Sequence, residues 1–186
     1  MKEKMTKVLV LYFTIYGSTK KYAEWIAEEL KGDLLNINDV RHNQLHDYDT
    51  IILGGGLYAG SIKGLNLLID NYEKIKDKKL IIFTCGLADY TKEENINSIK
   101  SRLEKIIPDN IFESIKVFHL RGYINYKKLS FKHKIMMGIR RKMIINKGMD
   151  KMNEENKEFL ETYGKIVDFT DKKNIKGIID YCKTTE

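Results

Sequence analysis

A run of hydroxyl-bearing residues around one glycine lies where a strand-like segment meets a helix-like one: Thr14, Ile15, Tyr16, Gly17, Ser18 and Thr19. The first amides of a helix have no backbone partner and carry partial positive charge, so this junction can bind a phosphate without a lysine. The hydroxyls add donors, and glycine lets the backbone turn closely. The spacing therefore predicts a phosphate-binding loop. The plainer interpretation is that Ser18 caps the helix and Gly17 forms a turn.

Two more glycine-bearing segments follow later strand-like runs. The first comprises Gly54, Gly55, Gly56, Leu57, Tyr58, Ala59 and Gly60, and the second begins with Thr84, Cys85, Gly86 and Leu87. Because the carboxyl ends of parallel strands meet at one edge of a sheet, we expect all three loops to face one another. The glycine spacing fits neither a dinucleotide fingerprint nor a Walker loop, so chemistry on nucleoside triphosphates is not expected.

The cysteines suggest neither a metal site nor a disulfide framework. Cys85 and Cys182 lie far apart, without CxxC or Cys/His spacing, and a reducing cytoplasm is the expected compartment. Cys85 could act as a nucleophile, but no partner histidine is evident, and we interpret it as a small packing residue. No side chain is assigned as a catalytic acid or base.

Alternating strand and helix patterns position these loops. The strand-like runs are 7–13, 34–37, 50–53, 80–84 and 115–120. Between them, apolar residues recur at helical spacing, as in Ala23, Ile26, Ala27 and Leu30. The alternation predicts a doubly wound α/β fold, with a parallel sheet covered by helices on both faces. The chain has 186 residues, 42% of them hydrophobic, which suits a single domain over 1–186.

One stretch, 121–169, is too long for a plain connection and is predicted to be an insert after the fifth strand. Phe131, Ile135, Ile139 and Met143 step at four-residue intervals, which indicates that the insert is partly helical. Residues 121–151 hold ten of the chain's 33 basic residues and one of its 26 acidic residues.

A basic segment rich in methionine and isoleucine is typical of a helix that contacts an anionic membrane surface or an acidic partner. The plainer interpretation is a solvated cover helix whose apolar face packs on the domain. Nucleic-acid binding is not expected, because no recognised motif accompanies the charge.

The first loop resembles the phosphate loop of flavodoxins, whose usual pattern is Ser/Thr-x-Thr-Gly-x-Thr, with Tyr16 in place of the commonest threonine. The resemblance implies a flavodoxin-like sheet of order 2-1-3-4-5 and non-covalently bound FMN. It also implies electron transfer or oxidoreduction with a redox partner protein or a quinone. Tyr58 would stack on the flavin ring. The implied cofactor-binding residues are Thr14, Ile15, Tyr16, Gly17, Ser18, Thr19, Gly56, Leu57, Tyr58, Ala59, Gly60, Thr84, Cys85, Gly86 and Leu87.

The later part of the chain resembles menaquinone-dependent protoporphyrinogen oxidases and their flavodoxin-domain relatives. The resemblance depends on the run from Leu120 to Tyr123, the basic methionine-rich stretch from Lys132 to Met143, and residues 165–171. It implies, as an alternative function, protoporphyrinogen oxidation coupled to quinone, with peripheral contact at the inner face of the membrane. A further alternative is a non-catalytic module that binds another phosphorylated ligand.

Overall fold

The structure is a computed structural model that describes residues 6–58, 61–148 and 152–184. Its strands, in chain order, are β1 (Val8–Phe13), β2 (Asp33–Asn36), β3 (Thr50–Gly55), β4 (Leu57–Tyr58), β5 (Ser61–Ile62), β6 (Lys79–Gly86), β7 (Ile115–Arg121), β8 (Tyr123–Asn125) and β9 (Ile166–Asp168). Its α-helices are α1 (Ser18–Leu30), α2 (Leu65–Asp70), α3 (Tyr72–Ile75), α4 (Glu93–Glu104), α5 (Asp109–Phe112), α6 (Phe131–Asn146), α7 (Glu154–Thr162) and α8 (Lys176–Lys183).

Five of these strands form one parallel sheet in the order β2-β1-β3-β6-β7. Counted within the sheet alone, this is the predicted order 2-1-3-4-5, so the fold prediction is confirmed. The strands β3 and β6 run two residues beyond their predicted ends, to Gly55 and Gly86. The glycines continue the ladder, since Gly55 pairs with Thr84 and Gly86 with Arg121.

The sheet has a separate apolar core on each face. Successive side chains of a strand point to opposite faces, and Leu9 and Leu11 belong to one core whereas Val8 and Val10 belong to the other. The helices α1 and α8 cover the second face, and residues of α2 to α5 cover the first. This arrangement is the predicted covering of both faces, and it leaves the strand ends open at the edges.

The residues after β7 form a small additional layer. The strand β8 pairs antiparallel with β9, and α6 and α7 lie between them in the chain. Ile124, Tyr126 and Leu129 are buried there, and Tyr16 and Leu87 from the predicted loops pack against them. The helix predicted in the insert is therefore present and lies beside the predicted loops, whereas the two short strands were not predicted.

The cover-helix interpretation requires the apolar stripe of α6 to pack on the domain. In the structure, a different face of α6 packs there. Phe131, Ile135, Ile139 and Met143 are exposed, whereas Ile144 is buried and Met137 packs in the small core of the insert. The four-residue stripe therefore does not pack on the domain. None of the described helices is long and apolar enough to cross a bilayer.

Candidate functional site at the carboxyl edge of the sheet

The three predicted loops meet at one edge of the sheet. The strands β1, β3 and β6 are parallel neighbours whose ends lie side by side, because Phe13 pairs with Gly55 and Gly55 pairs with Thr84. A cavity of about 490 Å³ opens at this edge, within the usual size range of ligand pockets. The predicted residues that line the cavity are Thr14, Tyr16, Ser18, Thr19, Gly56, Thr84, Cys85, Gly86 and Leu87.

The other predicted cofactor-binding residues do not line the cavity or lie beyond what the structure describes. Ile15 is an exposed side chain outside the lining, and Gly17 contributes only backbone to the loop. Leu57 and Tyr58 form β4, but their side chains are not among those described. Ala59 and Gly60 lie outside the described residues. The stacking role of Tyr58 remains a prediction.

The first loop presents the amino end of α1 to the cavity. Gly17 immediately precedes the helix with φ +97°, in the left-handed region, and its N–H donates to Thr14 Oγ1 at 2.9 Å. Ser18 is the first helical residue, so it is not the cap that the plainer interpretation required. No described side chain caps this helix. The amides of its first turn therefore remain available to an anion.

Tyr16, the departure from the usual flavodoxin pattern, reaches across to the insert. Its hydroxyl forms a hydrogen bond with His133 Nδ1 and accepts one from the Ser130 N–H at 3.5 Å. The two rings meet edge to face, with centroids 5.6 Å apart. Tyr16 thus fastens the first loop to the start of α6.

The third loop is held by two contacts from inside the protein. Thr84 Oγ1 lies 2.7 Å from Nδ1 of His119 on β7, and burial lowers the pKa of His119 to about 4. The thiol of Cys85 donates to Ser18 Oγ at 3.4 Å. Burial raises the pKa of this thiol to about 11, so it is protonated at neutral pH. A protonated thiol is a poor nucleophile, which supports the packing interpretation.

Residues at the end of β7 hold the backbone of the third loop in place. The Gly122 N–H donates to Gly86 O at 2.6 Å. The guanidinium of Arg121 donates to Leu87 O through Nε at 3.2 Å and through Nη2 at 3.0 Å. These bonds fix two carbonyl groups of the third loop and hold it against the end of β7.

The insert supplies a wall of the cavity that the sequence analysis did not find. Six of the residues that form this wall are His133, Met136, Met137, Arg140, Glu155 and Phe159. Burial would raise the pKa of Glu155, but hydrogen bonds and charge from Arg140 and Arg102 lower it. Arg140 Nη2 lies 2.8 Å and Arg102 Nη2 3.1 Å from the Glu155 carboxylate. This ion-pair cluster joins α4, α6 and α7 above the third loop.

The chain is similar in sequence to a known family and to individual known proteins. Residues 9–152 match the sequence model of the Flavodoxin domain family. An uncharacterised protein of Methanocaldococcus jannaschii is 32% identical over 126 residues, which are 64% of this chain and 78% of the relative. A flavodoxin of Maridesulfovibrio salexigens is 31% identical over 126 residues, 61% of this chain and 86% of the relative.

Among solved structures, the chain is similar to a flavodoxin, WrbA-like protein from Agrobacterium tumefaciens, with a TM-score of 0.44 and 19% identity over 63% of this chain and 83% of the other. The family model spans most of the described sheet, including β1, β3, β6 and β7 and the loops that follow them. The chain therefore belongs to the flavodoxin family of FMN-binding electron-transfer proteins.

Proposed function

We propose that this protein holds FMN non-covalently in the cavity at the carboxyl edge of the sheet and uses it to transfer electrons. The observation that carries the proposal is the uncapped start of α1 at Gly17, which opens on a cavity bounded by the loops after β3 and β6. Thr14, Ser18 and Thr19 would bind the phosphate together with the first-turn amides.

Three further lining residues from the second and third loops suit a flat, largely apolar ring. Gly56, Gly86 and Leu87 offer backbone and small or aliphatic surface, and Tyr58 is proposed to stack on the ring. When bound, FMN supplies one- and two-electron chemistry. The residues of this chain position it, exclude water and set its electrostatic surroundings, and no side chain is required as an acid or base.

The electron partner is proposed to be a redox protein or a quinone. The proposed compartment is the cytoplasm. The two cysteines, neither of them in a disulfide, fit a reducing compartment.

We propose that residues 1–186 form one flavodoxin-like domain with an insert at 121–169. The insert packs on the predicted loops through Tyr16 and Leu87.

Purified protein is expected to be yellow, and the chromophore released by denaturation is expected to be FMN at about one per chain. Riboflavin has the same ring without the phosphate, and it should bind the apoprotein at least about a hundredfold more weakly, a loss of roughly 2.7 kcal/mol. Fluorescence titration of the apoprotein with both compounds measures this difference. Colourless protein that binds neither compound would refute the proposal. Affinity for a different phosphorylated compound alone would favour the non-catalytic module.

A second candidate is an enzyme of the protoporphyrinogen oxidase type, coupled to menaquinone. It is favoured by the insert wall, because His133, Met137 and Arg140 line the same cavity as the predicted loops and could hold a substrate against a bound flavin.

For this candidate, anaerobic addition of protoporphyrinogen is expected to bleach the flavin at least about tenfold faster than a substrate-free control, and a menaquinone analogue should restore the colour. Stopped-flow absorbance in the flavin bands measures both steps. Reduction no faster than in the control would exclude this activity and leave the electron-transfer proposal intact.

A further inference from the structure

The outer face of α6 carries an exposed apolar stripe that belongs to none of the core clusters of the described residues. The members lie four residues apart, and their exposed fractions are 80% for Phe131, 47% for Ile135, 56% for Ile139 and 58% for Met143. The stripe runs for about 18 Å along the helix, at 1.5 Å per residue. Such a continuous row of large apolar side chains is unusual on a protein surface that meets only water.

The charge on this helix has one sign. Residues 131–146 contain five lysines and arginines and no acidic residue. Arg140 is paired with Glu155 on the inner side. On the outer side, Lys132, Lys134 and Lys142 form no ion pair with any described residue. Their ammonium groups therefore lie beside the stripe with uncompensated positive charge.

We propose that this outer face of α6 is a docking surface for an anionic phospholipid bilayer, with the helix lying parallel to the membrane plane. Isoleucine, methionine and phenylalanine side chains would enter the region where headgroups meet acyl chains, and the long lysine side chains would reach back to the lipid phosphates. The positive charge adds attraction to anionic lipids over about a Debye length.

Two other occupants fit this face less well. A second copy of the chain would bring two helices without acidic residues together, which places like charges side by side. A folded protein partner would have to present a groove shaped to this row and acidic groups placed against the lysines beside it. A bilayer accepts a convex row of such side chains without a matching groove.

The inner side of the same helix lines the cavity, so docking would bring the cofactor site close to the membrane. This consequence rests on the proposed function. His133, Met137 and Arg140 line the cavity, so a membrane against the outer face would lie one helix diameter, about 10 Å, from the cavity wall. A lipid-soluble electron donor or acceptor could then reach the cofactor without leaving the bilayer surface. The docking itself depends only on the outer face and needs no flavin.

The test is co-sedimentation of the full chain with vesicles. Binding to phosphatidylcholine vesicles that contain phosphatidylglycerol is expected to exceed binding to pure phosphatidylcholine by at least about tenfold and to fall as salt rises. The double variant Ile135→Gln, Ile139→Gln should lose at least about tenfold in vesicle affinity, because its two apolar anchors are gone. Neither residue lines the cavity, so FMN content should not change.

The matched control is Ile166→Gln, which alters a side chain of similar exposure, 55%, on β9 rather than on α6. It should bind vesicles like the unaltered protein, and thermal melting should show all variants folded. Vesicle binding that is unaffected by the α6 variant would overturn the proposal, as would a failure of the unaltered protein to bind anionic vesicles. The latter result would favour an acidic protein partner as the alternative occupant. FMN content measured in parallel separates failure of docking from failure of the proposed function.

Discussion

The substitution Gly17→Asp is expected to abolish FMN binding, with a rise in the dissociation constant of at least about a hundredfold, or 2.7 kcal/mol. A carboxylate at this position would lie at the uncapped amino end of α1, where the phosphate is proposed to bind, and two anions would compete for the same amides. Space is not the cause, since a Cβ atom on Gly17 would have no neighbour within 4 Å. Equilibrium titration of the apoprotein with FMN gives the change.

Two controls separate charge from backbone strain. In Gly17→Asn, the asparagine side chain has nearly the shape of aspartate without its charge. Asparagine also tolerates the left-handed region in which Gly17 lies. It should keep affinity within about tenfold of the original. Gly164 also has positive φ and open space at its Cβ, but it lies away from the cavity lining. Gly164→Asp should therefore leave FMN binding unchanged. Equal losses in Gly17→Asp and Gly17→Asn would attribute the effect to strain, and unchanged affinity in Gly17→Asp would place the phosphate elsewhere.

The order of strands and helices and the loop at the start of α1 were predictable because their determinants are local in sequence. A strand, a turn glycine, hydroxyls and an amphipathic helix follow one another within 8–30, and each is readable from composition and period. The edge at which the loops meet then follows from the parallel connections alone. Hence the loops from Thr14 to Thr19 and from Thr84 to Leu87 could be placed at one edge of the sheet from the sequence.

The insert wall could not be predicted in the same way, because its contacts join distant parts of the chain. Tyr16 and His133 are 117 residues apart, and Glu155 and Arg102 are 53 apart. Local pattern does not specify such pairs. The unusual Tyr16 was a signal, since a large side chain in the loop before α1 needs a place to pack, but it does not identify the partner.

The orientation of α6 was unpredictable for a different reason. Apolar residues occur on both of its sides, with Ile144 buried and Ile139 exposed, so hydrophobic periodicity indicates a helix without saying which face turns inward. The strands β8 and β9 have three residues each, and a period of two cannot be recognised over so short a run. In both cases the tertiary partner, and not the local sequence, decides the structure.

The second large effect is expected for stability rather than for binding. Gly54→Ala should lower the free energy of unfolding by about 3 kcal/mol, at the upper end of the range for overpacked cores. A Cβ atom at Gly54 would lie 2.0 Å from Cζ of Phe83. Phe83 is fully buried in the core beneath α1 and α8, where close packing resists movement of the ring. Urea denaturation of the apoprotein measures the change.

A double-mutant cycle with Phe83→Leu tests whether the ring is the cause. Phe83→Leu alone should destabilise by about 1–2 kcal/mol because it leaves a small cavity. Combined with Gly54→Ala, it removes the obstructing ring edge, and the double variant should be more stable than the sum of the single effects by at least about 1 kcal/mol. If the two changes in unfolding free energy simply add, contact with the Phe83 ring is not the cause of the destabilisation in Gly54→Ala. Phe83 pairs with Gly54 and immediately precedes Thr84, where the third loop begins. Extra stability in the double variant would therefore show that β3 needs a glycine at position 54 because the Phe83 ring occupies the space of a side chain there.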